Sequence, residues 1–142
     1  MRAGFEDNVI NLIWLGEQIW GYLCNGVAYG LPIVYSKEEQ AMQTAGGICQ
    51  ALHLLGERFI VINGDVFPDF DFVLQRDADS AAHLTLVNNP DHNDSGDFSL
   101  DGSIVTNAAV PRYTFSGIAQ YRREFFTELK SGRRRLAPLL RA

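Results

Sequence analysis

The chain has 142 residues, 46% of them hydrophobic, and its 12 Lys and Arg against 17 Asp and Glu leave a formal charge of -5. That length holds one domain or a part of one, with enough apolar residues for a real core. The acidic balance excludes a general nucleic-acid binder, whose phosphate contacts need a basic face, yet it leaves room for a nucleotide held by local cations or a metal. No apolar run reaches membrane-spanning length, and the opening Met1-Arg2-Ala3-Gly4 carries no signal-peptide pattern. Cys24 and Cys49 stand isolated, which suits a reducing, cytoplasmic setting.

In chain order, residues 9–13 predict a buried strand. Leu15, Ile19 and Leu23 then recur at helical spacing, and Asn25-Gly26 supplies a stop. Residues 31–35 predict a second strand. Thr44 can cap a helix through Leu55 that presents Ile48, Ala51, Leu52 and Leu55 on one face. The continuous run Phe59-Ile60-Val61-Ile62 predicts a strand buried on both faces, as in a parallel sheet, and it stops at Asn63-Gly64-Asp65. Residues 69–75 suggest a short helical turn, and residues 82–87 another strand. A polar loop over residues 91–96 follows, then two short runs around Asp101-Gly102, a hairpin signal. Residues 113–121 predict a strand interrupted at Ser116-Gly117, where a glycine marks a bulge or a close approach. Residues 124–129 and 136–142 predict helices. Strands alternating with helices, plus one antiparallel excursion, predict a three-layer α/β fold.

Several residues carry chemistry on this pattern, each with a plainer reading beside it. Asp65 stands at a strand's carboxyl end, where a carboxylate holds a divalent cation against a phosphate or simply caps its own turn. Thr44-Ala45-Gly46-Gly47 opens a helix, where glycines admit a ligand to the backbone N–H groups or allow tight helix-on-sheet packing. The loop from Asn88 to Asp97 offers hydrogen bonds to a hydroxyl-rich ligand, or is polar because loops are. Arg133-Arg134-Arg135 reads as a solvated face rather than a phosphate site. His53, His83 and His92 are scattered, which gives no zinc-ligand spacing.

Leu15-Gly16-Glu17-Gln18-Ile19, Thr44-Ala45-Gly46-Gly47-Ile48, Ile62-Asn63-Gly64-Asp65, Asn88-Asn89-Pro90 with Gly96-Asp97-Phe98, Thr114-Phe115-Ser116-Gly117-Ile118 and Leu136-Ala137-Pro138-Leu139-Leu140 occur in one order. Together they resemble the sugar-1-phosphate nucleotidyltransferases, in the branch of N-acetylmuramate-1-phosphate uridylyltransferases and mannose-1-phosphate guanylyltransferase-like proteins. The resemblance implies a Rossmann-like α/β/α fold with a mostly parallel sheet and a small β-hairpin excursion, formed by residues 1–142 as one incomplete domain. It implies a reaction of a nucleoside triphosphate with a sugar 1-phosphate, assisted by Mg²⁺. It assigns Asp65 to the metal and the chemistry, Thr44, Gly46, Gly47 and Asn63 to the nucleotide, and Asn89, Asp97, Ser116 and Gly117 to the sugar.

That family's pattern also includes a Gly-rich, Arg-containing loop, a Pro-Lys-Pro segment and a Trp-x-Asp-x-Gly-Thr segment with a second metal-binding Asp. None of the three motifs occurs in these 142 residues. The expectation is therefore a fold lacking N-terminal and C-terminal elements, with little or no transferase activity in isolation and a tendency to self-associate. The alternative is a non-catalytic module that binds a nucleotide sugar or a protein partner.

Overall fold

The computed structural model describes residues 5, 7–67, 69, 79–108 and 110–141. β1 (Asn8–Leu12) pairs in parallel with β2 (Ile33–Lys37), Val9 opposite Val34 and Leu12 opposite Lys37. Parallel neighbours need a crossover to bring the chain back to the same end. Here it is α1 (Gly16–Leu23) followed by a 3-10 turn at Val27–Tyr29. α2 (Gln43–Ala51) then leads through a second 3-10 turn to β3 (Arg58–Ile62).

The second sheet is built on one long strand. β4 (Ala82–Val87), β5 (Phe98–Asp101) and β6 (Ile104–Thr106) precede β7 (Arg112–Arg122), which is 11 residues long. β7 takes β3 with Arg58 opposite Arg122, β4 with Ala82 opposite Tyr121, and β5 with Phe98 opposite Tyr113, all antiparallel. Along β4 the register shifts between Leu84, opposite Ala119, and Leu86, opposite Phe115. The extra residues on β7 contain Ser116-Gly117, so the interruption expected there is a bulge. The β5–β6 hairpin turns at Asp101-Gly102, with Gly102 at φ 59°. α3 (Glu124–Thr127) and α4 (Ala137–Leu140) close the described chain.

The core lies where α2, β3, β7 and α3 meet. Ala45 and Ile48 from α2 pack with Phe59, Ala119, Tyr121, Phe126 and Leu136, all buried. Tyr121 and Phe126 meet edge to face, with ring centroids 5.1 Å apart and planes at 74°. Leu12 is buried against Gly16, where an added Cβ would stand 3.1 Å from the leucine side chain.

Several expectations are corrected. Among the described residues parallel pairing is confined to β1 and β2, so the mostly parallel sheet is not confirmed; an apolar run fixes burial, not strand direction. β3 is not buried on both faces, since Ile62 is 43% exposed. Thr44 caps nothing: α2 begins at Gln43 without a side-chain cap, and Glu38 Oε2 instead accepts the Met42 N–H at 2.9 Å. The apolar stripe of α1 buries no residue among those described, because periodicity defines a face but not what covers it. The expected turn over residues 69–75 lies, apart from Asp69, outside the described residues.

One core group is out of balance. The Tyr121 hydroxyl is buried with no hydrogen-bond partner among the described residues, and burial pushes its phenol far above the ordinary tyrosine range. A buried unsatisfied hydroxyl costs about 1–3 kcal/mol. Tyr121→Phe keeps the ring and removes that cost, so urea unfolding should show unchanged or greater stability, by up to about 1 kcal/mol. A loss of stability would mean the hydroxyl is satisfied after all.

Candidate functional site

The carboxyl end of β3 and the bulge of β7 meet at Asn63. The Asn63 N–H donates to the Gly117 carbonyl at 3.0 Å, extending the β3–β7 ladder by one step. Gly117 sits at φ 80°, and a Cβ there would lie 2.6 Å from Asn63 Nδ2. Both facts require glycine. Ser116 Oγ donates to the Thr85 carbonyl at 2.8 Å and accepts the Ile118 N–H at 3.3 Å, which pins the bulge to β4.

The loop after β4 is held to β7 by its own side chains. Asn89 Nδ2 donates to the carbonyls of Asp94 at 2.9 Å and Arg112 at 3.1 Å, while its Oδ1 accepts from Thr114 Oγ1 at 2.9 Å. Asn93 Nδ2 donates to Thr114 Oγ1 at 3.0 Å and to Asp97 Oδ2 at 3.2 Å. The same Asp97 oxygen accepts the Phe115 N–H at 2.9 Å. This leaves Asp97 Oδ1 turned toward Arg141, whose Nη2 lies 3.9 Å away.

These elements surround an open cavity of about 470 Å³. Gln43 and Thr44 from α2, Asn63, Asp97, Phe98 and Phe115 form one part of its wall; Arg135, Leu136, Ala137, Leu140 and Arg141 form the other. Phe98 is buried, and the Arg141 guanidinium carbon lies 5.6 Å from its ring centroid. Two guanidinium groups against one carboxylate make the lining net positive although the chain is acidic. Gln43 has φ 61°, a left-handed conformation that costs a non-glycine residue of order 1–3 kcal/mol and recurs where ligands are held.

The structure therefore brings Thr44, Asn63 and Asp97 to one cavity, with Gly117 and Ser116 fixing the strand behind Asn63. Asn89 lies within the loop with both ends of its amide occupied. Gly46 and Gly47 are packed close. The Gly46 N–H donates to the Arg134 carbonyl at 3.2 Å, and a Cβ on Gly47 would run into Glu38 Oε1 and Asn11 Nδ2. Asp65 is exposed in the turn after β3 and does not line the cavity. Among the described residues no three His, Cys, Asp or Glu side chains gather as a metal-binding group.

A curated relative, the N-acetylmuramate alpha-1-phosphate uridylyltransferase of Neisseria meningitidis serogroup B, is 47% identical over 99% of this chain. The chain belongs to the sugar-1-phosphate nucleotidyltransferase family. It spans 66% of that relative's length. Among solved structures, HddC from Yersinia pseudotuberculosis superposes with a TM-score of 0.73 at 20% identity, covering 91% of this chain and 62% of HddC. The same protein complexed with GMP-PN gives a TM-score of 0.77 at 19% identity, over 94% of this chain and 64% of that one. A candidate glucose-1-phosphate thymidylyltransferase from Bacillus anthracis, in complex with a sucrose, gives 0.74 at 20% identity, over 92% and 61% of the two chains. These likenesses support a Rossmann-like nucleotidyltransferase fold. No family model matches the chain.

Sequence reasoning missed Gln43, Arg135 and Arg141. The motif ending at Leu140 stops one residue short of Arg141, and Arg135 was absorbed into a run that reads as solvated. The two arginines flank the Leu136–Leu140 motif, but neither the motif nor their spacing marks them as facing a cavity.

The Gly117–Asn63 contact gives a direct test. Gly117→Ala meets both a positive φ and a close side chain, so it should cost about 1–3 kcal/mol in urea unfolding. Adding Asn63→Ala removes the amide but not the backbone strain, and should recover part of the loss. Full recovery, or none, would contradict this division.

Proposed function

We propose that this chain binds a nucleoside triphosphate and a sugar 1-phosphate in the cavity between β3, β7 and α4, as part of the machinery of nucleotidyl transfer. The observation that carries the reading is the 47% identity to a uridylyltransferase over nearly the whole chain. It points to UTP as nucleotide and N-acetylmuramate 1-phosphate as sugar substrate. In the reaction a sugar phosphate oxygen attacks the α-phosphorus in line, and pyrophosphate leaves from the opposite side.

The residues divide along the cavity. Thr44 and Asn63 present polar side chains to the nucleotide, while Gly46 and Gly47 set how closely the start of α2 approaches. Asp97 and the Gly117 backbone face the sugar, and Asn89 and Ser116 hold the loop and bulge that position them. Arg135 and Arg141 meet phosphate, which their delocalised, forked donors suit. The carboxylates among the described residues do not form a closed metal cage. Mg²⁺ would be held chiefly by the substrate phosphates, whose charge it would offset when bound, with Asp65, in the turn beyond Asn63 and outside the cavity lining, the carboxylate that the family resemblance assigns to it. Residues 1–142 act as one domain in this reading, in the cytoplasm, as two free cysteines suit. No described helix is long and apolar enough to cross a membrane.

Binding without efficient turnover is the expected behaviour of the isolated chain. A formed cationic cavity supports binding, but the charged groups of its described lining are Asp97, Arg135 and Arg141, with Asp65 outside it. Loss of a single transition-state donor costs about 10²–10³ in rate elsewhere. A module that binds the nucleotide sugar without catalysis is the second reading, favoured by the absence of a carboxylate cluster among the described residues.

Calorimetric titration with UDP-N-acetylmuramate should show binding, weakened about tenfold in Arg141→Ala (about 1.4 kcal/mol). Pyrophosphate release from UTP, Mg²⁺ and N-acetylmuramate 1-phosphate should be far below ordinary enzyme rates. Absence of binding would overturn the assignment. Normal turnover abolished in Asp65→Ala would overturn only the expectation of low activity.

We also infer self-association through the face around α1. Trp14, Trp20 and Tyr22 are 81%, 58% and 76% exposed, a concentration of aromatic surface unusual for a monomer. Light scattering should show a concentration-dependent mass, reduced in Trp14→Ser/Trp20→Ser. A monomer at all concentrations would refute this.

A further inference from the structure

The chain contains two Asn-Gly dipeptides, Asn25-Gly26 and Asn63-Gly64. A glycine nitrogen has no side chain beside it, so in such a pair it can attack the preceding carboxamide with little hindrance. Reaction requires that both groups be free, and the fold treats the two pairs differently. Gly26 is buried at φ 75°, and its N–H donates to the Leu23 carbonyl at 2.9 Å. Asn25 Oδ1 accepts the Val27 N–H at 3.3 Å, and a Cβ on Gly26 would run into the Leu31 carbonyl. Nucleophile and carboxamide are both held there. Asn63-Gly64 is exposed at the end of β3, in a turn closed by the Val66 N–H donating to the Asn63 carbonyl at 3.1 Å. Gly64 takes the second turn position, whose N–H the turn does not use, and among the described residues that N–H has no acceptor. The Asn63 carboxamide likewise has no hydrogen-bond partner among the described residues, and Asn63 lines the cavity.

We propose that Asn63-Gly64 is a site of spontaneous deamidation that closes the cavity to nucleotides. The Gly64 nitrogen gives its proton to water and attacks Asn63 Cγ. The new C–N bond closes a cyclic imide as the Cγ–Nδ2 bond breaks, and Nδ2 takes up a proton and leaves as ammonia. Water then opens the imide at either carbonyl, leaving aspartate or isoaspartate at position 63. Water is the only reactant consumed. Aspartate adds a carboxylate where Asn63 lines the cavity, and that charge repels an anionic ligand. Isoaspartate lengthens the backbone by one carbon and draws the end of β3 away from the Gly117 carbonyl, which the Asn63 N–H holds at 3.0 Å. The effect on binding rests on the nucleotide reading of the cavity; the modification itself does not.

The experiment ages the 142-residue chain in mildly alkaline buffer and follows both dipeptides by mass spectrometry after digestion. In the folded chain Asn63 should convert at least about tenfold faster than Asn25, whose held neighbour reacts only after local opening. In urea the two rates should converge, because the dipeptides are the same. Gly64→Ala should slow conversion at Asn63: the methyl hinders the nitrogen, yet Gly64 has no positive φ and its Cβ would meet nothing within 4 Å. Binding of UDP-N-acetylmuramate by the aged chain should fall in proportion to the converted fraction, while fresh and aged Gly64→Ala should bind alike. Equal rates in the folded chain, rates that stay apart in urea, or an unslowed Gly64→Ala would overturn the modification. Unchanged binding at full conversion would overturn its effect on the cavity. A fresh chain that binds no nucleotide sugar would overturn the nucleotide reading and that effect with it, while the peptide masses still decide the modification.

Discussion

The bulge of β7 at Gly117 is the constraint on which the site depends. The register shift falls on the β4 side of the eleven-residue strand, between Leu84 and Leu86, while the β3 pairing runs unbroken to Ile62 and ends beside Gly117. The glycine, at φ 80°, lets the backbone turn against the Asn63 side chain while its carbonyl still accepts the Asn63 N–H. Ser116 then ties the displaced segment to Thr85. One backbone irregularity thus fixes where β3 ends, how its terminal Asn is presented and where Phe115 enters the cavity wall.

Asp97 does the corresponding work for the loop. One of its oxygens takes two hydrogen bonds, from Phe115 and Asn93, which locks the loop to β7. The other faces Arg141 across 3.9 Å, a partly exposed ion pair worth little to stability in water. Its consequence is instead positional: Arg141 is drawn over Phe98 and toward the cavity, beside Arg135. The chain carries net negative charge, yet the described lining of this cavity is locally positive. A site for an anion on an acidic protein requires such a local arrangement, since the overall field opposes it.

Much of this was legible in the residues, and the failures have physical causes. The end of β3 at Asn63-Gly64-Asp65, the hairpin at Asp101-Gly102 and the interruption at Ser116-Gly117 follow from turn chemistry, which is local. Strand direction is not local: Phe59-Ile60-Val61-Ile62 reads the same whether its neighbour runs parallel or antiparallel, and β7 arrives only 50 residues later in sequence. The pattern leaves the glycines at positions 46 and 47 either open to a ligand or packed; the structure gives them close neighbours, from the loop at 132–134 and from Glu38 and Asn11. Thr44 reads as a helix cap because it precedes an apolar run, but Glu38 takes that place from outside the helix. Arg135 and Arg141 were invisible as a pair, since nothing in their spacing reveals that α4 folds them to the same cavity as Asp97.

The central claim is that the cavity beside the β7 bulge is where this family's nucleotide sugar sits. The most direct measurement is an NMR titration of the isotope-labelled chain with UDP-N-acetylmuramate, following backbone amides. The account predicts saturable shifts at Asn63, Asp97, Phe115, Gly117 and Arg141, with β1 and β2 unmoved. Shifts confined to β1 and the start of β3, or none at concentrations that saturate the meningococcal relative, would contradict it.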